Sequence, residues 1–165
     1  MAEYELAQLN VARLIAPIDS PRLTAFVANL DRINALAEQS PGFVWRLQTE
    51  DGDATAIRPF GVDYIVNLSV WTDIASLHSY VYRTAHIEVM RRRKEWFAPM
   101  GEAYLVLWWI AAGHKPTVEE ARARLTALQA NGPSSQAFTF KRPFPNPAEQ
   151  QSADLACFDD TCPAG

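Results

Sequence analysis

Histidine and cysteine are scarce in this chain of 165 residues, which has three of the first and two of the second. Both cysteines, Cys157 and Cys162, fall in the polar C-terminal stretch. They are too few for a disulfide framework and do not make the ligand set of a structural zinc site. The chain also has no glycine-rich phosphate loop, HExxH, GxSxG or paired-carboxylate pattern, so hydrolase, kinase and nucleotide-dependent dehydrogenase readings have no support. Excess positive charge is absent as well. A formal net charge of −4 gives no reason to seek nucleic acid or an anionic membrane, despite the run Arg91-Arg92-Arg93-Lys94. No apolar run approaches the roughly 18 residues that cross a bilayer. The start MAEYELAQLN has no cationic segment leading into an apolar one. The expectation is a cytoplasmic protein with neither nucleic acid nor membrane among its partners.

What is present is an ordinary globular composition, 48% hydrophobic and 21% charged, which can bury one core. Composition places that domain at residues 1–145 and leaves 146–165 as a Pro-rich, polar and flexible tail. Phe138 and Phe140 are available to anchor its start.

Periodicity divides the domain. Tyr4 to Ala12 alternates as a strand, with Ala7, Leu9 and Val11 on one face and Leu6, Gln8 and Asn10 on the other. Asp19-Ser20-Pro21 opens a helix whose Leu23, Phe26, Leu30, Ile33 and Ala37 share a stripe, and Ser40-Pro41-Gly42 ends it. Phe43 to Gln48 reads as a strand with Phe43, Trp45 and Leu47 on one side and Arg46 on the other. DYIVNLSVW sets Tyr64, Val66, Leu68 and Val70 against Ile65, Asn67, Ser69 and Trp71. Thr72-Asp73 then caps a helical region, one long helix or two joined near Arg83-Thr84, in which Tyr82, His86, Met90 and Arg93 form a stripe. YLVLWWIA, from Tyr104, reads as a strand covered on both faces and therefore central or buried in a dimer. Pro116-Thr117-Val118-Glu119-Glu120 is a capping box opening a further helix that turns Ala121, Leu125 and Leu128 inward.

The order strand, helix, strand, strand, helix, strand defines an α+β, ferredoxin-like βαββαβ subunit with a four-stranded antiparallel sheet and an extra C-terminal helix. Both crossover helices lie on one side, so the other sheet face is predicted to be apolar and bare. A second copy is its simplest cover, giving a homodimer packed sheet against sheet.

The runs YRTAHIEVMRRRKEWF and YLVLWWIAAGHKPTVEEARARL resemble an uncharacterised bacterial domain family of the dimeric α+β barrel superfamily, which includes antibiotic biosynthesis monooxygenase-like proteins. The resemblance extends from Tyr4 to about Pro145. It implies the dimeric barrel, and activities that in this superfamily range from cofactor-independent quinone-forming monooxygenases through haem enzymes to members without catalysis. Quinone-forming members place an asparagine and a tryptophan four residues apart near the end of the third strand, as Asn67 and Trp71 stand here. Haem-degrading members combine a first-strand asparagine, a tryptophan and a helix histidine, the types of Asn10, Trp71 and His86.

These residues suggest an apolar pocket with a few polar groups that fix a small aromatic or polyketide-like ligand. In the monooxygenase reading Asn67 holds an oxyanion, Trp71 stacks on or donates to the substrate, and His86 is the base. Asn10, Arg46, Tyr82, Met90, Arg93 and Trp96 line the site, with no cofactor and no metal. Two alternatives stay open. One is haem bound through His86, or failing that His78; the other is a non-catalytic binding or stress-response module for an apolar ligand. His114, in a loop before Pro116, reads as solvated.

Overall fold

In the computed structural model, which describes residues 3–48, 55, 58–84 and 86–151, alternation along the first strand decides the architecture. β1, Tyr4–Leu14, is paired on both sides and is the centre of an antiparallel sheet. On one side lies β3, Tyr64–Trp71, in a register that runs from Leu6 opposite Trp71 to Arg13 opposite Tyr64. β2, Phe43–Arg46, lies outside β3. The other edge of β1 is shared between β5, Leu105–Ala111, beside Tyr4 to Asn10, and the two-residue β4, Phe97–Ala98, beside Arg13 and Leu14. Apart from β4 this is the expected four-stranded ferredoxin-like sheet.

One face collects Ala7, Leu9, Val11, Val66, Leu68, Val70, Val106, Trp108 and Ile110, and the opposite face packs Leu6, Trp71 and Leu107 beneath helices. α1, Thr24–Gln39, and α2, Ile74–Arg83, both contribute to that second cluster, through Ala37 and through Leu77 and Tyr80. The first face is not bare. α4, Val118–Asn131, lays Ala121, Leu125 and Leu128 on it. The Thr117 half of the predicted capping box forms, with the Glu120 N–H donating to Thr117 Oγ1 at 3.1 Å, while the Glu120 carboxylate meets Trp108 and His114. The bare apolar face that asked for a second copy is therefore partly covered from within the chain. The remainder is the β2–β3 half, where Trp45, Leu47, Phe60 and Tyr64 are half-buried.

Several local expectations change. A bulge between Phe43 and Trp45 breaks the alternation of β2, so Phe43 joins the helix-side cluster while Trp45 and Leu47 join the opposite face. The run from Tyr104 is an edge strand and not a central one. Its outer side is closed by Phe138, whose backbone exchanges two 2.8 Å hydrogen bonds with Leu107. The Ser20 hydroxyl caps a 3-10 turn at Pro21–Leu23 ahead of α1. The helical region after Asp73 divides at Thr84 into α2 and α3, His86–Arg91. The stretch after Pro143 is also anchored further than expected. Phe144 packs against the helix-side cluster, and its carbonyl accepts from Trp109 Nε1 at 2.9 Å, because a half-buried indole N–H needs an acceptor. Of the expected tail, 146–151 includes a turn in which the Glu149 N–H donates to Asn146 Oδ1. Cys157, Cys162 and the rest of the tail lie outside the described residues.

Candidate functional site

Antiparallel register arranges the helix-facing side chains in rows across the sheet. Phe43, Trp71, Leu6 and Trp109 form one row; Arg46, Ser69, Gln8 and Leu107 the next; Asn67, Asn10 and Leu105 the third. The outer row belongs to the apolar cluster of Leu6, Trp71, Leu77 and Tyr80. Beyond the third row a separate apolar cluster begins, with Leu14, Leu23, Phe26 and Trp96 at its centre. Gln8, Asn10, Arg46, Asn67 and Ser69 thus form a polar strip between two apolar clusters. α3 links the clusters, since the ring of His86 lies 4.9 Å from that of Tyr80 and Val89 packs into the other cluster.

The deep part of the strip is internally satisfied. Gln8, 5% exposed, holds its Nε2 within reach of three acceptors that share its two N–H groups, the Asn67 side-chain oxygen, Ser69 Oγ at 3.0 Å and the Asn67 carbonyl at 3.2 Å. Trp71 Nε1 donates to Ser69 Oγ at 2.9 Å. The shallow part is different. Asn67 is exposed and Asn10 half-buried, and among the described residues none accepts from Asn67 Nδ2 or pairs with the Asn10 amide. Two cross-strand neighbours therefore offer amides to solvent, or to a ligand, on the floor below the helices.

The groups beside the strip are held neutral. Burial lowers the pKa of His86 below its usual value, and the contact of Nδ1 with the Val81 carbonyl at 3.4 Å offsets this only in part. Burial raises that of Tyr80 well above the usual phenol range, and the nearby Arg46 guanidinium only partly counters it. The Tyr80 hydroxyl donates to the Ile33 carbonyl at 3.3 Å. Arg46 is itself paired with Glu38 at 2.8 Å.

The structure brings Asn10, Arg46 and Asn67 onto one sheet face, with Trp71 four residues beyond Asn67 on the same face. Trp71 is a wall and not a free donor. It is 1% exposed, stacks on Tyr80 at 5.0 Å and spends its N–H on Ser69. His86 joins this group through Tyr80. Met90 lies half-buried on the same short helix. Tyr82 lies elsewhere, because the break at Thr84 separates it from His86 and leaves it exposed against His78 and Phe140. Arg93 is engaged with Tyr104, donating to its hydroxyl at 2.9 Å. Trp96 is core, 5.6 Å from Phe26. Gln8, Ser69 and Tyr80 were not among the sequence candidates. Alternation marked the first two, on the same strand faces as Asn10 and Asn67, whereas the stacking of Tyr80 has no local sequence signal.

The ring of His86 packs against Tyr80, and the contact of its Nδ1 with the Val81 carbonyl leaves Nε2 as the nitrogen available to a ligand. His78 is wedged between Tyr82 at 4.6 Å and Phe140 at 5.7 Å. Two described clefts, of about 410 and 240 Å³, lie instead around Trp109 and Pro145 and include neither histidine. Among the described residues no group of three or more His, Cys, Asp or Glu side chains could hold a metal ion, and no helix is long and apolar enough to cross a membrane.

The element order and the antiparallel sheet define the class, a ferredoxin-like α+β subunit with an extra C-terminal helix. Within it this chain belongs to the family described as Domain of unknown function (DUF3291), whose profile matches residues 5–154. Solved structures of similar fold include SnoaB from Streptomyces nogalater, a cofactor-independent oxygenase. It is 18% identical, with 71% of this chain and 98% of that one covered and a TM-score of 0.42. MupZ from Pseudomonas fluorescens is 16% identical, with 90% and 93% covered and a TM-score of 0.40. No curated protein matches the chain.

Proposed function

We propose that the protein is a cofactor-independent, monooxygenase-like enzyme that takes a small aromatic or polyketide-like substrate onto the polar strip. The reading is carried by the Asn10 amide and Asn67 Nδ2, neighbours across β1 and β3 for which the described residues supply no partner although they lie between two apolar clusters. Such an arrangement suits a flat apolar molecule with one polar oxygen. Hydroxyl or enol oxygen binds at Asn67. His86, neutral at physiological pH because of its burial, removes the proton and leaves a phenolate. The phenolate supplies the electrons to O₂. One oxygen atom enters the ring and the other leaves as water, so a phenol-type substrate and O₂ give a quinone and water. Trp71 and Tyr80 form the apolar wall that keeps water from the anion.

The test is aerobic turnover of anthrone, whose enol form is a phenol and whose oxidation by one O₂ yields anthraquinone and water. With ¹⁸O₂, one labelled atom is expected in the quinone. His86→Ala is expected to lower kcat by roughly 10²–10⁴-fold, and Asn67→Ala by about 10²-fold, as for the loss of one oxyanion donor. A rate equal to that in buffer, or one untouched by both variants, rejects the proposal.

A further inference from the structure

Gln8 is buried, chemically inert, and next to the proposed site without reaching it, so its hydrogen bonds call for an account. Its side-chain amide lies 3.2 Å from the Asn67 backbone carbonyl. A carbonyl only accepts, so the Gln8 atom facing it is the NH₂. That same NH₂ meets the side-chain amide of Asn67, which must therefore turn its oxygen inward. Ser69, the third acceptor, is held in place by the Trp71 indole, a group that can only donate. A chain of one-way donors thus fixes the Asn67 amide with Oδ1 toward the sheet interior and Nδ2 toward the open strip.

From this geometry we infer that Gln8 is a positioning residue that makes the site specific for a hydrogen-bond acceptor. The ligand group met by Asn67 is a carbonyl or phenolate oxygen, and a hydroxyl or amine donating to that position is disfavoured. The inference rests on the reading that ligands bind at Asn67, but the amide orientation stands without it.

Fluorenone and carbazole are flat tricyclic molecules of similar size; the first offers only a carbonyl acceptor, the second only an N–H donor. Titrated into the full chain and followed by ligand fluorescence, fluorenone is expected to bind on the order of tenfold more tightly, the worth of one hydrogen bond. Gln8→Glu, titrated at a pH where its buried carboxyl is ionised, places a group that only accepts, so Asn67 turns its NH₂ inward and the preference reverses. Gln8→Met fills similar space without fixing the amide, and brings the two affinities to within about twofold. In side-chain amide NMR the Gln8 NH₂ is expected to exchange slowly and the Asn67 NH₂ quickly.

The inference is overturned if the slow NH₂ belongs to Asn67, or if both Gln8 variants keep the preference while Asn67→Ala abolishes it. A different result separates the functional reading. Binding that survives Asn67→Ala unchanged, or no binding of either probe, rejects a ligand site at Asn67, while the amide exchange still decides the role of Gln8.

Discussion

His86 shows how a single residue acquires its chemistry from its position. Burial against Tyr80 holds the imidazole neutral, so its folded-state pKa lies below the ordinary value of 6.5. Between those two values the unfolded chain binds the proton more readily, and stability must rise with pH across that window. The contribution is complete above 6.5 and is lost as pH falls toward the folded pKa. Urea denaturation at pH 5 and pH 8 should show a larger loss at low pH for the natural protein than for His86→Gln; equal losses would mean that the ring is solvated in the folded state. Tyr80, which packs against the ring, is not expected to move this window, because burial keeps it protonated. At this scale the sequence was partly legible. The two-residue period of the strands placed Asn10 and Asn67 on one kind of face without reference to the fold. What it could not indicate was that Gln8 orients Asn67, which depends on cross-strand register between segments about sixty positions apart, or that Trp71 turns its indole N–H back to Ser69 on its own strand.

Turns decide how the elements meet. Gly42, between α1 and β2, has φ of 85°, in the region that favours glycine, and its α-carbon lies against the Ser76 and Thr72 side chains at the start of α2. A Cβ there would meet Thr72 Oγ1 at 2.7 Å and come closer still to Ser76, so neither backbone nor packing tolerates it. Gly42→Ala should lower unfolding stability by on the order of 3 kcal/mol, measurable as a shifted chemical denaturation midpoint with an unchanged slope. A loss below about 0.5 kcal/mol, the range of neutral surface changes, would show that the turn relaxes without α2. The stop at Ser40-Pro41-Gly42 was readable because glycine and proline act locally. The bulge in β2 was not, since nothing in FVWR marks it. It depends on β3 accepting Trp45 opposite Val70 and Phe43 opposite Trp71. The helix break at Thr84 was visible only as a choice between one helix and two. Its outcome reassigns Tyr82 from the His86 stripe to His78 and Phe140.

For the whole molecule, the outcome of the sheet face opposite α1 and α2 turns on α4. The sequence showed that α4 exists and which residues it buries, but amphipathicity names an apolar stripe and not the surface it meets. Ala121, Leu125 and Leu128 settle on the β1–β5 half, and Trp108 reaches Glu120 through its indole N–H at 3.2 Å. The β2–β3 half retains Trp45, Leu47, Phe60 and Tyr64 half-buried, and beside them Val62, 80% exposed. We propose that the homodimer expected from the sequence uses this half, with a two-fold axis that lets each copy present the same patch. Such an interface needs about 800 Å² from each partner to persist at micromolar concentration. Sedimentation equilibrium should show a dimer, and Trp45→Arg, which puts an unpaired charge at the centre of the patch, should dissociate it by 100-fold or more, on the order of 3 kcal/mol. A chain that is monomeric at every concentration tested would mean that α4 alone is enough cover. The polar strip, on the opposite face of the sheet, should then keep its ligand affinity, because none of its residues points toward that interface.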